Sequence, residues 1–287
     1  MPEKTAPGSS EYYRDTFEAS STSRPGLPAL NVPALPVLAG SQLVNEAEGA
    51  QAERQWKSDE GPVAQTTDVN CGEASLAQVK KAKDAKVAPA SDDQKREEVR
   101  STTAAASKAV QDRFEVNLDD GARPEEMGAM LGSMGIAVTR GMSNYDPAAI
   151  SEGLKSGQMG MAMVDSTALT NSLLPDGQKK QETGALHWVT IDGYNKGELS
   201  NDPMDDKFRV KDSVNGSYWV SARDLLGAMD AARLKHNGTG GMMLIENRPN
   251  ATQEEREALS RSNLDQTANL GNGTGIGSRR LGAGEAS

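Results

Sequence analysis

Between Lys207 and Val220 the chain folds back on itself. Lys207-Phe208-Arg209-Val210-Lys211-Asp212 alternates polar and apolar residues, breaks at Asn215-Gly216, and resumes as Ser217-Tyr218-Trp219-Val220. Asn-Gly supplies the positive-φ pair of a tight turn, so two such runs around it predict an antiparallel hairpin. Ala185–Tyr194 reads as a further strand, and Ile136–Thr139, Met159–Val164 and Met242–Ile245 as three more. Helical patterns stand between them. One runs from Gly121 to Gly135, with Pro124 at its first position and Met127, Met130, Leu131 and Met134 at helical spacing. A second starts at Pro147, turns Ile150 and Leu154 inward and ends at Gly157; Leu169–Leu174 reads as a short helix or a loop. Ser221 caps a third helix, Ala222–Leu234, with Asp224 in its first turn. The methionines read as core rather than as a ligand surface. The expected class is α+β: one domain with helices gathered on one side of a mostly antiparallel sheet.

The ends of the chain read differently. Residues 1–60 are rich in Ser, Thr, Pro, Ala, Gly and charge with no sustained period, which predicts a disordered leader. The domain is expected over 61–249, followed by a polar, largely disordered tail over 250–287. Within the domain, the run after Cys71 is helical to Lys86 and broken by Pro89. Asp92-Asp93 open a second helix to Phe114 with a thin apolar stripe (Val99, Ala106, Val110, Phe114), a loosely attached helical insertion within residues 80–115.

Composition removes several functions. Across 287 residues the net charge is −10, against the basic patches that nucleic acid and anionic membranes select. One cysteine rules out an internal disulfide or a Cys-based zinc site. Phosphate-binding loops and metal-ligand clusters are absent, so no cofactor is expected. Apolar runs fall short of about 18 residues, so no membrane insertion is expected. Met1–Arg24 lacks an apolar signal region, and Leu27–Gly40 is broken by Pro28, Pro33 and Pro36. The expected setting is cytoplasmic, or exported without a cleaved signal peptide.

What remains is thiol chemistry. The single cysteine lies in Gln65-Thr66-Thr67-Asp68-Val69-Asn70-Cys71-Gly72-Glu73-Ala74-Ser75-Leu76, at the mouth of a helix. Free backbone N–H groups and the helix dipole there favour the thiolate, the nucleophilic form. Of two histidines, only His187 lies in a strand; His236, at a helix end before a glycine turn, reads as a solvated cap. Acyl transfer by a thiol needs a thiolate, a base, a group orienting that base, and oxyanion donors. Cys71 and His187 supply the first two, Asp212 at the end of its strand the third, and the Gln65 amide with the Cys71 backbone N–H the fourth. Asp202, in Asn201-Asp202-Pro203, is a rival to Asp212. Gly184 is expected to let the backbone pass close to a neighbour, the helix bearing Cys71.

Gln65, five intervening residues and Cys71-Gly72 opening a helix resemble the oxyanion glutamine and nucleophile of papain-like cysteine peptidases. Gly184–Tyr194 around His187, then Val210-Lys211-Asp212-Ser213 and Tyr218-Trp219-Val220-Ser221, are similar to the His and Asp blocks of the bacterial peptidase-C39-like branch. The resemblance spans about residues 61–247. It implies a papain-like fold and a cysteine peptidase acting on a peptide or protein substrate as a monomer, with a secreted bacterial effector as one setting. The chain departs from that branch at Asn70, where Asp is common, and at Ser213, where Pro is common. The alternative is a catalytically silent papain-like module that binds a peptide or protein partner. Trp188, Asp192, Tyr194 and Trp219 are candidates to line a cleft, with both tryptophans expected to pack against the sheet.

Overall fold

The computed structural model describes residues 56, 62–65, 67, 69–84, 92–111, 118, 121–143, 146–181, 184–197 and 201–270. In chain order these form α1 (Cys71–Asp84), α2 (Asp92–Gln111), α3 (Pro124–Ser133), β1 (Ile136–Met142), α4 (Pro147–Lys155), β2 (Met159–Asp165), α5 (Ser166–Asn171), β3 (Leu186–Asn195), β4 (Lys207–Asp212), β5 (Gly216–Ser221), α6 (Ala222–Lys235), β6 (Gly241–Asn247) and α7 (Gln253–Thr267). Except for Trp56, the expected leader lies outside the described residues, as do Phe114 and the chain after 270.

The hairpin forms where the sequence predicts, but its turn is Ser213–Asn215 and only Gly216, the first residue of β5, takes positive φ, not an Asn-Gly pair. Gly216 takes φ 87°, which a side chain would strain, and Asp212 stands opposite Gly216 across β4 and β5. The six strands lie in the order β1-β6-β2-β3-β4-β5, and every pairing among them is antiparallel. Local chemistry sets the helix starts. Pro124 opens α3 while the Glu126 carboxylate accepts from the Arg123 N–H; Asp146, Asp165, Ser221 and Thr252 cap α4, α5, α6 and α7 with side-chain oxygens.

Helices cover both faces of the sheet, not one as expected. Met159, Met161, Met163, Trp188, Met243 and Ile245 pack in one cluster with residues of α1, α2 and α3. Ala162, Val164, Val189, Ile191, Phe208 and Val210 pack in a second with residues of α4, α5 and α6. Adjacent residues of β2 and β3 thus alternate between two apolar layers, the pattern of strands buried on both sides. Their nearly continuous apolar character already carried this signal. Met127 and Met130 of α3 are fully buried, as core packing requires, and Met134, just past its end, is half-buried.

Three other expectations change. The stripe Val99, Ala106 and Val110 is buried, and α2 packs on α1 and α3 instead of hanging loosely. Trp56 is buried in the first cluster and donates its indole N–H to the Gly157 carbonyl at 2.9 Å, so ordered packing begins before residue 61. The expected disordered tail is a helix over Gln253–Thr267 that packs on α3 and β1, and Leu270 joins the core. Helix α7 has no apolar stripe to announce it. It buries Ser260, Asn263 and Thr267 instead, and a methyl group at Gly132 of α3 would sit 2.3 Å from the Ser260 nitrogen. Among the described residues no helix is long and apolar enough to cross a membrane.

Asn263 carries much of that docking. Its Oδ1 accepts from the Val138 N–H at 2.7 Å, and its Nδ2 donates to the Gly128 and Ile136 carbonyls at 2.9 Å each. Replacing it strands three buried backbone groups, each with a desolvation cost. Asn263→Ala is expected to lower the urea unfolding free energy by about 2–4 kcal/mol. A loss under about 0.5 kcal/mol, the ordinary effect of a surface change, would show that α7 is not part of the cooperative unit.

Candidate active site

Helix α1 begins at the cysteine. The Asn70 carbonyl accepts the Ala74 N–H at 3.0 Å, closing the first helical turn, and the Asn70 side-chain oxygen accepts the Thr67 N–H at 3.0 Å. Gly72 lets this turn lie flat against its neighbours. A methyl group there would sit 2.8 Å from the Ala122 Cβ and 3.2 Å from the Trp188 ring.

The sheet leaves a gap that this turn fills. Strand β4 ends at Asp212, paired with Val189 of β3, so no β4 residue stands opposite Trp188. The Trp188 N–H instead points at the Cys71 sulfur, 3.5 Å away, and its carbonyl accepts the Ser75 hydroxyl at 3.3 Å. The indole N–H donates to the Ala122 carbonyl at 2.8 Å. The first turn of α1 thus takes over the hydrogen bonding of a strand that has stopped.

That arrangement brings the sulfur to His187, one residue before Trp188. The His187 Nε2 lies 2.9 Å from the Asp212 Oδ1, and the Cys71 sulfur is near enough to the imidazole to raise its pKa, which leaves Nδ1 as the ring nitrogen for the sulfur. All three side chains are buried, Cys71 with 8% and Asp212 with 1% of its surface exposed.

A charge so deep needs partners. The Asp212 Oδ1 accepts the Val214 N–H at 2.8 Å and the Asn215 N–H at 3.2 Å as well as His187. Its Oδ2 accepts the Asn215 side-chain amide and the Tyr218 hydroxyl, both at 2.9 Å. Burial alone would raise the carboxyl pKa, but the His187 hydrogen bond and charge and the Asn215 and Val214 donors outweigh it and hold it well below the usual carboxylate range. For His187 burial works downward and loses to the Asp212 hydrogen bond and the Cys71 sulfur, and the imidazole pKa rises to about 10. Burial, with the Asp212 charge behind it, pushes the Tyr218 phenol up. Nearby on α1, burial pushes Glu73 up to about 7 against its own backbone N–H, with the Glu126 charge adding to the rise; one of its carboxyl oxygens is buried without a hydrogen bond.

Gln65 sits against the same corner. Its backbone N–H donates to the Ser213 carbonyl at 3.2 Å and its Oε1 accepts the Ser213 hydroxyl at 2.8 Å. Its Nε2 donates one N–H to the Thr67 carbonyl at 3.0 Å, and no second bond from that nitrogen occurs among the described residues. The rival Asp202 lies elsewhere. It caps a short 3-10 turn, Pro203–Asp205, at the surface and pairs with Arg223 at 3.2 Å, while Asp212 is the carboxylate that meets His187.

Other placements differ from the sequence reading. The close neighbour of Gly184 is α5, not α1: a methyl group at Gly184 would lie 2.2 Å from the Thr167 nitrogen. His236 does end α6, but it is not a solvated cap; its side chain is mostly buried and meets the Gly184 carbonyl at 3.1 Å. Trp188 is buried as expected, whereas Trp219 remains 37% exposed. Tyr194 packs on Phe208 and donates to Asp206, and Asp192 pairs with Arg209 and Lys211. The sequence reading missed Tyr218, Asn215 and Ser213 as partners of the site. Two signals were available: an Asx turn is common where Asp precedes a hairpin turn, and Tyr218 returns along β5 beside Asp212. Among the described residues no group of three or more His, Cys, Asp or Glu could hold a metal.

No protein-family model, curated protein or solved structure matches this chain.

The protonation states make stability depend on pH in two opposite ways. Asp212, lowered from 3.8, contributes fully above 3.8 and loses its contribution as pH falls below it. His187, raised from 6.5 to about 10, contributes fully below 6.5 and loses its contribution as pH rises toward 10. The stability gap between the unaltered protein and Asp212→Asn should therefore be widest between 3.8 and 6.5 and shrink toward 10. Its size should be on the order of 3 kcal/mol, as for breaking a buried ion pair. Thermal unfolding at a series of pH values checks this; a gap that is constant with pH would contradict the charged pair.

Proposed function

We propose that the protein is a cysteine-dependent peptidase, a thiol acyl hydrolase of papain-like, peptidase-C39-like type. One observation carries the reading: a buried imidazole is bonded to a carboxylate held by five hydrogen bonds, and the sulfur of the only cysteine, at a helix N-terminus, lies 3.5 Å from the backbone nitrogen of the next residue along the strand.

In this reading the His187 imidazolium and the Cys71 thiolate form a resting ion pair, so the nucleophile needs no deprotonation at the moment of attack. The sulfur adds to the scissile carbonyl carbon, a C–S bond forms, and the carbonyl electron pair moves onto oxygen. The backbone N–H of Cys71 and the remaining N–H of the Gln65 amide donate to that oxyanion. Collapse expels the amine, which takes its proton from His187 Nδ1. Water, deprotonated by the now neutral His187, cleaves the thioester and releases the acid, restoring the ion pair. Asp212 holds the ring by Nε2 throughout, keeping Nδ1 toward the sulfur. The substrate is a peptide or protein, attacked at a peptide or isopeptide bond by a monomeric enzyme without a cofactor.

The deep burial of Cys71 favours one rival, a silent papain-like module that binds a peptide without cutting it. Two measurements separate them. Iodoacetamide should label Cys71 of the unaltered chain quickly near pH 6, and His187→Ala should slow that labelling by on the order of 100-fold. On a mixed peptide pool, Cys71→Ser and His187→Ala should each lose about 1,000-fold or more in hydrolysis, and Gln65→Ala about 100-fold. Slow labelling indifferent to His187→Ala, with no peptide cut, would establish the binder instead.

A further inference from the structure

Strand β3 is held unequally along its length. Over Val189–Ile191 it lies between β2 and β4, and over Gly193–Asn195 it pairs with β4 alone. Over Leu186–Trp188 only β2 flanks it, with Asp165 opposite Leu186 and Val164 opposite His187. On the open side the main chain of this stretch has, among the described residues, only the Cys71 and Ser75 contacts to Trp188. His187 therefore rides on a strand end whose main chain β4 does not pair with, and its ring must still meet Asp212 and the sulfur together.

Directly upstream, a compact cluster grips the backbone. Asp165, with none of its surface exposed, ends β2 and caps α5 by accepting the Ala168 N–H at 2.8 Å through Oδ1. Its Oδ2 accepts the Gly184 N–H at 3.1 Å. The next residue, Ser166, donates its N–H to the Ala185 carbonyl at 3.0 Å. From the far end of α6, His236 Nε2 lies 3.1 Å from the Gly184 carbonyl and 3.7 Å from the Asp165 Oδ2. A carbonyl can only accept, so that nitrogen carries its proton. Lys235 adds its charge to Asp165 at 3.6 Å. Both main-chain polar groups of Gly184, which belong to two successive peptide units, are thus tied, one to Asp165 and one to His236. The approach is so close that Gly184 has no room for a side chain, with the Ser166 Oγ 2.6 Å and the Asp165 Oδ1 2.8 Å from where a Cβ would stand.

We infer that Asp165 and His236 are positioning residues for His187: they clamp the main chain of Gly184 on both its N–H and its carbonyl and so fix where the singly paired start of β3 delivers the imidazole. The inference rests on the reading of Cys71 and His187 as nucleophile and base. Neither clamp residue touches the sulfur, and their effect passes through Gly184, Ala185 and Leu186 to the ring. A reacting pair displaced by about 1 Å can lose on the order of 100-fold in rate, so a loosened strand end has a measurable consequence. A cap serving only α5 would explain the Ala168 bond but not why His236 reaches from α6 to the Gly184 carbonyl.

Iodoacetamide labelling of Cys71 in the full chain tests it, with the rate measured from pH 5 to 9 and folding checked by circular dichroism. His236→Ala is expected to slow labelling near pH 6 by about 10- to 100-fold and to move the acid limb of the profile toward that of His187→Ala. His236→Gln places an amide N–H near the position of Nε2 and should recover most of the rate, a rescue that general loosening of α6 would not produce. Asp165→Asn, which turns a donor toward the Gly184 N–H, carries the same expectation as His236→Ala and decides the matter should that variant fail to fold. A folded clamp variant that labels like the unaltered protein across the range overturns the inference while leaving the nucleophile standing. Labelling indifferent to His187→Ala overturns both.

Discussion

The candidate site depends on keeping one carboxylate charged inside the protein. Asp212 is nearly without solvent, and an isolated ion there would neutralise rather than stay buried. Five donors prevent this: one ring nitrogen of His187, two backbone N–H groups of the turn, the Asn215 amide and the Tyr218 hydroxyl. Three of the five come from the turn residues that let β4 stop and β5 begin. The tight turn that organises the sheet edge is therefore also the turn that solvates the charge. A charged Asp212 in turn raises the His187 pKa, and a charged His187 is the natural partner for a thiolate.

The end of β4 links the sheet to the helix. Once that strand turns away after Asp212, Trp188 has an N–H and a carbonyl with no strand to meet. The first turn of α1 supplies a sulfur and a hydroxyl in their place, and Gly72 permits the approach. Cys71 is consequently positioned by main-chain hydrogen bonding of the sheet and not by loop geometry. The same gap leaves the start of β3 with a single neighbouring strand, which gives the contacts around Gly184 their weight. Two apolar layers, one on each face, make the sheet a stiff support for both halves of the site.

Much of this was legible from residues alone, for reasons that can be named. The Asn-Gly turn and its alternating flanks are short-range signals, and they gave the β4–β5 hairpin with Asp212 at its lip. Capping residues and prolines gave α3, α4 and α6, because helix starts are decided locally. The pairing of Cys71 with His187 followed from scarcity: one cysteine and one strand histidine leave little choice. What stayed hidden depends on distant packing. The polar helix α7 docks through Asn263 and small residues against α3, and no periodicity of apolar residues reports such an interface. The unbroken apolar run of β2 signals that both sheet faces are covered, against the single covered face expected. Gly184 announced a close approach correctly; which element approaches is a matter of topology. His236 looks ordinary in sequence because its partner lies 52 residues away.

The central claim is electrostatic, and the ring of His187 reports on it directly. Nuclear magnetic resonance of the imidazole nitrogens resolves both histidines, and His236→Gln identifies the His187 signals by elimination. The account predicts that His187 remains a doubly protonated imidazolium through neutral pH and titrates near 10, and that Cys71→Ser lowers that midpoint. A His187 that titrates near its ordinary 6.5 whether or not Cys71 is present would contradict it.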